Sequence, residues 1–345
     1  MILALLFATK FVPQSSAVDA SPVTSLANLQ STLSRTGYLK LPPGVTYISG
    51  LKIPEGGEIE GSGGELRPQP GYAGSGITCN SPGFRILNVT LRGFSTGISV
   101  SSNQPSDGTG ESFISGCRIY DYDQNGIDWD ALSDGYIDHC ICASTLAPRG
   151  DWHNAISPDR QFLRPYGATT SSTANAGIRL GEHAGGVTVS DCHCWGNEWF
   201  DIADFAPDSI LQGNRLEGGR GAMLLLAAYR IHVIGGTIWS IMNGNQSAAI
   251  CMGLHTSTKI FAPGNCDVRG VFVNTAGYLP YVVLNDDVGV GNTLSLIAPP
   301  DYHPTAKVYP DQNIGTTNRV QLQVEGTSDT GAVWKDNRPL PASGN

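Results

Sequence analysis

Five carboxylates and an arginine cluster around short Gly-Ile and Asp-Ile steps in the middle of the chain. Gly126-Ile127-Asp128-Trp129-Asp130 carries two of them. Gly177-Ile178-Arg179 is followed by Glu182 and His183, and Asp201-Ile202 by Asp204. If Ile127 and Trp129 point inward from an extended strand, Asp128 and Asp130 point outward, about 6.6 Å apart. If the later segments stack on this one, Arg179 lies beside Asp128, and Asp201 and Asp204 flank Ile202 on the next rung. Several carboxylates and one guanidinium then share an outer strip. Carboxyls about 5 Å apart cleave glycosides with retention, and carboxyls about 6.5–9.5 Å apart with inversion. Asp128 and Asp201, two rungs apart, fall near the second distance. In that reading Asp128 or Asp130 is the general base and Glu182 or Asp201 the general acid. An elimination reading uses Arg179 to neutralise a uronate carboxylate, with His153 or His183 taking the proton. The plain alternative is a solvated strip in which Asp128 pairs with Arg179 across strands.

Sugar binding asks for less. Trp195 and Trp199 lie in the turn Cys194-Trp195-Gly196-Asn197-Glu198-Trp199-Phe200, and Trp152 lies in a polar, aromatic stretch. Their rings could stack on sugar faces, or equally pack against a neighbouring subunit. The eight cysteines include two Cys-x-Cys pairs, Cys140/Cys142 and Cys192/Cys194. In a strand such residues share a face and do not wrap one ion, whereas zinc sites favour a turn between ligands. The cysteines therefore read as small buried side chains. Asp121-Tyr122-Asp123-Gln124-Asn125-Gly126 lacks the bidentate Glu of a calcium loop and reads as an Asn-Gly turn. No metal and no cofactor is expected.

The elements that position these residues show up as self-similarity. Phe113-Ile114-Ser115-Gly116-Cys117-Arg118-Ile119, Tyr136-Ile137-Asp138-His139-Cys140-Ile141-Cys142 and Thr188-Val189-Ser190-Asp191-Cys192-His193-Cys194 share one apolar and small-residue pattern. The same pattern fits segments starting at Arg85, Ile210 and His232. A second short strand precedes each, with Ile77, Ile98, Ile127, Ile178, Ile202 and Met223 spaced by 21, 29, 51, 24 and 21 residues. Short strands with Gly/Asn turns at this period make a solenoid, because one coil cannot bury its apolar face alone. Cys117, Cys140 and Cys192 should then stack in a column, with Asn214 continuing it. The long spacing marks an insertion, about residues 143–174, leaving from one face and containing Trp152 and His153.

Composition agrees. Of 345 residues 43 are Gly and only 15% are charged, against about 25% in an average chain. The net charge of −9 argues against a chain-wide attraction to nucleic acid or anionic membrane. No apolar run is long enough for a membrane-spanning helix. Residues 2–8 are apolar enough for a signal-peptide core, but Lys10 follows the run instead of preceding it. The other reading of residues 1–24 is an attachment segment.

Leu41-Pro42-Pro43-Gly44-Val45-Thr46-Tyr47-Ile48, continuing to Gly61, resembles the first coils of pectin-lyase-like right-handed parallel β-helix proteins, and among them phage tailspikes and other particle spikes. Leu26, Leu29 and Leu33 would form one face of a helix capping the solenoid. The fold expected is all-β, a single-stranded right-handed parallel β-helix over residues 25–284, with a small β-structured tail over 285–345. The resemblance implies a homotrimer on the surface of a virion or phage-like particle. It would attach to a particle structural protein through its N-terminal segment and bind a bacterial surface polysaccharide. The other reading is a polysaccharide-degrading enzyme, particle-borne or secreted. No Asn-Thr-Asp, Gly-His-Gly or Asp-Pro-His signature of pectinolytic enzymes is present.

Overall fold

The computed structural model describes residues 26–102, 111–144, 176–197, 200–217, 222–239, 248–255, 259–274, 281–285, 289–299, 306–309, 318–324 and 334–336. Each coil contributes up to three short strands, and equivalent strands pair in parallel with the coils above and below. Row 1 is a ten-stranded sheet running from Leu51–Ile53 through Asn125–Trp129, Ala176–Leu180 and Phe200–Asp204 to Ala306–Tyr309. Row 2 runs from Tyr38–Lys40 through Ser112–Ser115 and Gly135–Asp138 to Arg319–Val324. Row 3 runs from Gly44–Ile48 through Arg118–Tyr120 and His193–Trp195 to Thr237–Trp239. Rows 2 and 3 merge at the long strand Asp267–Asn274, which pairs with both. The architecture is a right-handed parallel β-helix.

Apolar residues repeat because each inner position faces its own kind on the next coil. In row 1, Leu51, Ile77, Ile98, Ile127, Ile178, Ile202, Leu224, Ile250 and Val283 are partners in sequence down the axis, all essentially inaccessible to solvent. The glycine before several of these isoleucines has a steric reason. A Cβ at Gly97, Gly126 or Gly177 would lie 2.5–2.6 Å from the backbone oxygen of the next coil, so only glycine lets the coils close there. The turn between rows 2 and 3 is one left-handed residue in successive coils: Asn88, Gly116, His139, Asp191, Gly213 and Gly235 have φ between 50° and 65°. Asn and Asp tolerate that region through local hydrogen bonds, which is why non-glycine residues appear there.

The cysteine column forms as expected. Cys117, Cys140 and Cys192 are buried, and the thiols of all eight cysteines are free. The Sγ atoms donate to the carbonyls of Ile86, Ile114 and Ile137 one coil back, at 3.5, 3.6 and 3.7 Å. Asn214 makes the same bond, its Nδ2 donating to Val189 O at 2.9 Å. The 51-residue spacing between Ile127 and Ile178 is crossed without loss of register, since the two are direct partners. Trp152 and His153 fall outside the described residues, as do residues 1–24. The parallel ladder also runs past residue 284, where the sequence period fades. Strands Thr293–Ala298 and Arg319–Val324 continue row 2, and Trp334–Asp336 pairs antiparallel with the second of them. No helix of the described residues is long and apolar enough to cross a membrane.

The helix Leu26–Thr36 lies at the N-terminal end, with Leu29 and Leu33 buried against the first coil. It stops at Gly37, whose N–H bonds Leu33 O at 2.9 Å with φ 69°.

Candidate functional site

The outer file of row 1 reads Lys52, Thr78, Ser99, Asp128, Arg179, then Ala203, Leu225 and Cys251. Its polar half ends in an ionic cluster. Arg179 is only 1% exposed; its Nη1 bonds Asp128, and its Nη2 lies 3.3 Å from Asp130 Oδ2. Asp130 reaches across because residue 181 is glycine, where a Cβ would overlap its carboxylate. Asp130 Oδ1 also lies 3.4 Å from Nδ1 of the exposed His183. Burial pushes the Asp128 carboxyl above its ordinary range, and the Arg179 charge pulls back without cancelling that. Below the cluster the file turns apolar and joins Phe205, Leu254 and Phe261 in a second core on the outside of row 1.

Asp128, Asp130, Arg179 and His183 are thus brought together. Glu182 is nearby in sequence but bonds Lys259. Asp201 does not join them. It takes the register position that Gly177 holds one coil earlier, is fully buried, and accepts a 2.6 Å hydrogen bond from Asn197 Nδ2. Nor does Asp204 lie on the outer strip. It shares the inward face of Ile202, two residues away, and stands in file between Leu180 and Leu226. Its Oδ1 accepts from Ala206 N and Ser209 Oγ, and burial pushes its carboxyl up to about 8. Trp195 is half-buried on row 3, on another face of the solenoid; Trp199 lies outside the described residues. The elimination reading also loses its cation, because two carboxylates already occupy the Arg179 guanidinium.

A groove that the sequence reading did not single out lies on the outer side of row 3. Tyr47, Arg67, Pro68, Arg92, Gly93, Asp121 and Asp123 line about 480 Å³ of open space. Tyr47 is 51% exposed. Arg92 Nη1 bonds Asp121 Oδ2 at 2.5 Å, and its Nε lies 3.6 Å from Glu65. Its guanidinium stacks over Tyr120, 4.7 Å from the ring centre. Arg67 bonds Glu65 at 2.5 Å. The two aspartates face outward because Tyr122 between them is buried, its hydroxyl donating to Asn197 Oδ1 two coils on. An exposed phenol ring, two guanidinium groups and two carboxylates in one open concavity suit a ligand with apolar faces and many hydroxyls. A signal existed in the sequence: Arg67 and Arg92 each follow the inward residue of the third strand in their coil, a position legible only once that strand is aligned.

No protein-family model matches the sequence, and no curated protein matches it. Solved structures do match. The tailspike of Escherichia coli bacteriophage HK620, solved with a pentasaccharide, aligns at TM-score 0.53 and 12% identity, over 88% of this chain and 61% of that one. The Dettilon tailspike aligns at TM-score 0.47 and 14% identity, over 89% and 69%. The A-module of the Azotobacter vinelandii mannuronan C-5 epimerase AlgE4 aligns at TM-score 0.45 and 12% identity, over 86% and 95%. What the HK620 tailspike shares with this chain is the fold, and the chain spans about three fifths of that tailspike.

Proposed function

We propose that this protein is a spike or receptor-binding protein of a phage or phage-like particle, and that it binds a bacterial surface polysaccharide. The groove of Tyr47, Arg67, Arg92, Asp121 and Asp123 on the outside of the solenoid carries the binding part of this reading. Its aromatic face can stack on a pyranose ring, and its charged groups can hydrogen-bond hydroxyls. The particle part rests on the tailspike-like fold. On this reading the chain works as a homotrimer, attached to a particle through its N-terminal segment.

The test is a glycan array of bacterial O-antigen and capsular polysaccharides, probed with the purified chain, its Tyr47→Ala variant and its Arg92→Ala variant. Binding to one or a few polysaccharides, weakened about 10-fold or more by Tyr47→Ala, is the expected result; an aromatic–sugar contact of roughly 1.5 kcal/mol corresponds to that factor. Silence across the array removes the reading. Light scattering showing a lone monomer at micromolar concentration removes the trimer.

A second reading, cleavage of that polysaccharide, is favoured by one observation. Asp128, with its raised carboxyl, and Asp130, paired with His183, stand side by side on row 1. New reducing ends that appear with wild type and vanish in Asp130→Asn support it. Full activity in that variant rejects it.

A further inference from the structure

The turn between rows 2 and 3 brings together three side chains from two neighbouring coils. Asp138 ends the row 2 strand Gly135–Asp138. His139 follows it in the left-handed turn position, and Asp191 holds the same position one coil on. One donor atom from each of Asp138, His139 and Asp191 lies within 4.8 Å of the other two. Nothing in the sequence spacing of 138, 139 and 191 announces this. Only the stacking of coils makes them neighbours.

The set is held from both sides. Asp138 stands in register between Ser115 and Ser190. Ser190 Oγ donates to its Oδ1 at 2.8 Å, and Ser115 Oγ to its Oδ2 at 3.4 Å. His139 turns its Nδ1 to the same carboxylate, 2.7 Å from Oδ1, with its side chain 67% exposed. The turn residues of the coils on either side, Gly116 and Gly213, have no side chain to cover the donors. The fold does not ask for an imidazole here. The same turn position is Asn88, Gly116, Asp191, Gly213 and Gly235 in other coils, and an exposed Asp–His pair adds little stability.

Coordination chemistry does ask for one. Two carboxylates balance a doubly positive ion, and the imidazole nitrogen separates this set from an ordinary acidic patch. Calcium and magnesium take oxygen ligands, whereas zinc and its first-row neighbours accept nitrogen together with oxygen. Two donors about 2.1 Å from one zinc ion stand about 3.4 Å apart in a tetrahedron. Rotation of the exposed Asp191 carboxylate closes the remaining gap. Ser115 and Ser190 supply the outer hydrogen bonds that orient a ligating carboxylate.

We propose that Asp138, His139 and Asp191 form a site for a divalent transition-metal ion such as zinc, with water in its remaining positions. In sequence, Asp138 and His139 precede the insertion at about residues 143–174 and Asp191 follows it. The ion therefore staples the coils on either side of the longest spacing in the repeat. The proposal does not depend on glycan binding.

The test is calorimetry on the full chain, stripped with a chelator and titrated in turn with zinc, cobalt and calcium chlorides. The expected result is one zinc or cobalt ion per chain at a micromolar Kd, with calcium about 10-fold weaker or worse. His139→Asn and Asp191→Asn each remove a donor but keep a residue that tolerates the left-handed turn. Each should weaken zinc binding by about 100-fold, and Ser190→Ala, which removes only an orienting bond, by about 10-fold. His232→Ala, elsewhere on row 2, should change nothing. Zinc at about 100 times its Kd should raise the thermal midpoint of the wild type by about 4 °C and leave that of His139→Asn where it is. Melts without metal check that each variant folds. Zinc held by both Asn variants as tightly as by wild type puts the ion elsewhere and overturns the site. Calcium bound as tightly as zinc overturns it in favour of an acidic patch. No binding of zinc or cobalt at about 1 mM overturns it outright.

Discussion

Asp204 occupies an inner file between Leu180 and Leu226, where water does not reach. Its Oδ1 is bonded by Ala206 N–H and the Ser209 hydroxyl, but its Oδ2 has no partner. A charge there would be desolvated with half its acceptors empty, so the proton stays on to about pH 8. An unfolded aspartate ionises near 3.9. Between those values the folded chain holds a proton that the unfolded chain has lost. Stability therefore falls as pH rises from about 4 to about 8, by up to about 1.4 kcal/mol per pH unit from this residue. Asp204→Asn keeps the shape and the two accepted bonds and cannot ionise. Urea unfolding should give the two proteins similar stability at pH 4 and leave the variant increasingly favoured toward pH 8. Parallel pH profiles would show that Asp204 is ionised in the fold. Two-residue alternation from Ile202 was enough to place this side chain inward; a search for paired carboxylates sent it outward.

At the scale of the coil, the turn column shows what repetition makes legible. Cys140 N–H donates to Cys192 Sγ at 3.4 Å, and Cys192 N–H donates to Asn214 Oδ1 at 3.0 Å. With the bonds to the carbonyls one coil back, thiol and amide here play the same two-sided part. Asn214→Ala leaves Cys192 N–H buried and unpaired and takes one of the bonds from Val189 O, and should cost about 1–3 kcal/mol. Asn214→Cys should recover more than half of that loss by continuing the thiol column, read as the shift in denaturant midpoint. Equal loss in both variants would mean that the cysteines merely fill space. This column could be read from sequence because every coil repeats the residue type. Row 3 could not, because its outer position changes from Tyr to Arg to Tyr to Ala to Trp, and only the register aligns these residues. Asp201 was misplaced for a related reason. Strict strand alternation fails at the start of row 1, where the glycine positions bring backbones together and leave no open outer face.

A stacked solenoid is stabilised mainly between neighbouring coils, so its ends are where the whole molecule is vulnerable. Among the described residues the first row 1 strand, Leu51–Ile53, has no coil beneath it, and such an edge invites another strand. Gln30 on the capping helix closes that edge. Its Nε2 donates to Lys52 O at 2.9 Å, and Lys52 N–H donates to its Oε1 at 2.8 Å, so one amide side chain stands in for a neighbouring strand. Leu29 and Leu33 cover the apolar interior beside it. The two functions separate by mutation. Leu33→Ala opens a cavity at the end of the core and should lower stability by about 2–5 kcal/mol. Gln30→Ala removes the two solvent-accessible bonds to Lys52 and one to Ser34 Oγ, a loss of about 1–2 kcal/mol, but it also exposes a pairing edge. Its signature is therefore a particle mass that climbs with protein concentration in light scattering while the spectrum of the folded state is kept. Leu33→Ala at matched stability should show less of that growth, because its edge amide is still in place. Equal growth in both variants would assign the self-association to loss of stability, and the Gln30 amide would then be a local hydrogen bond with no part in keeping the end of the solenoid closed.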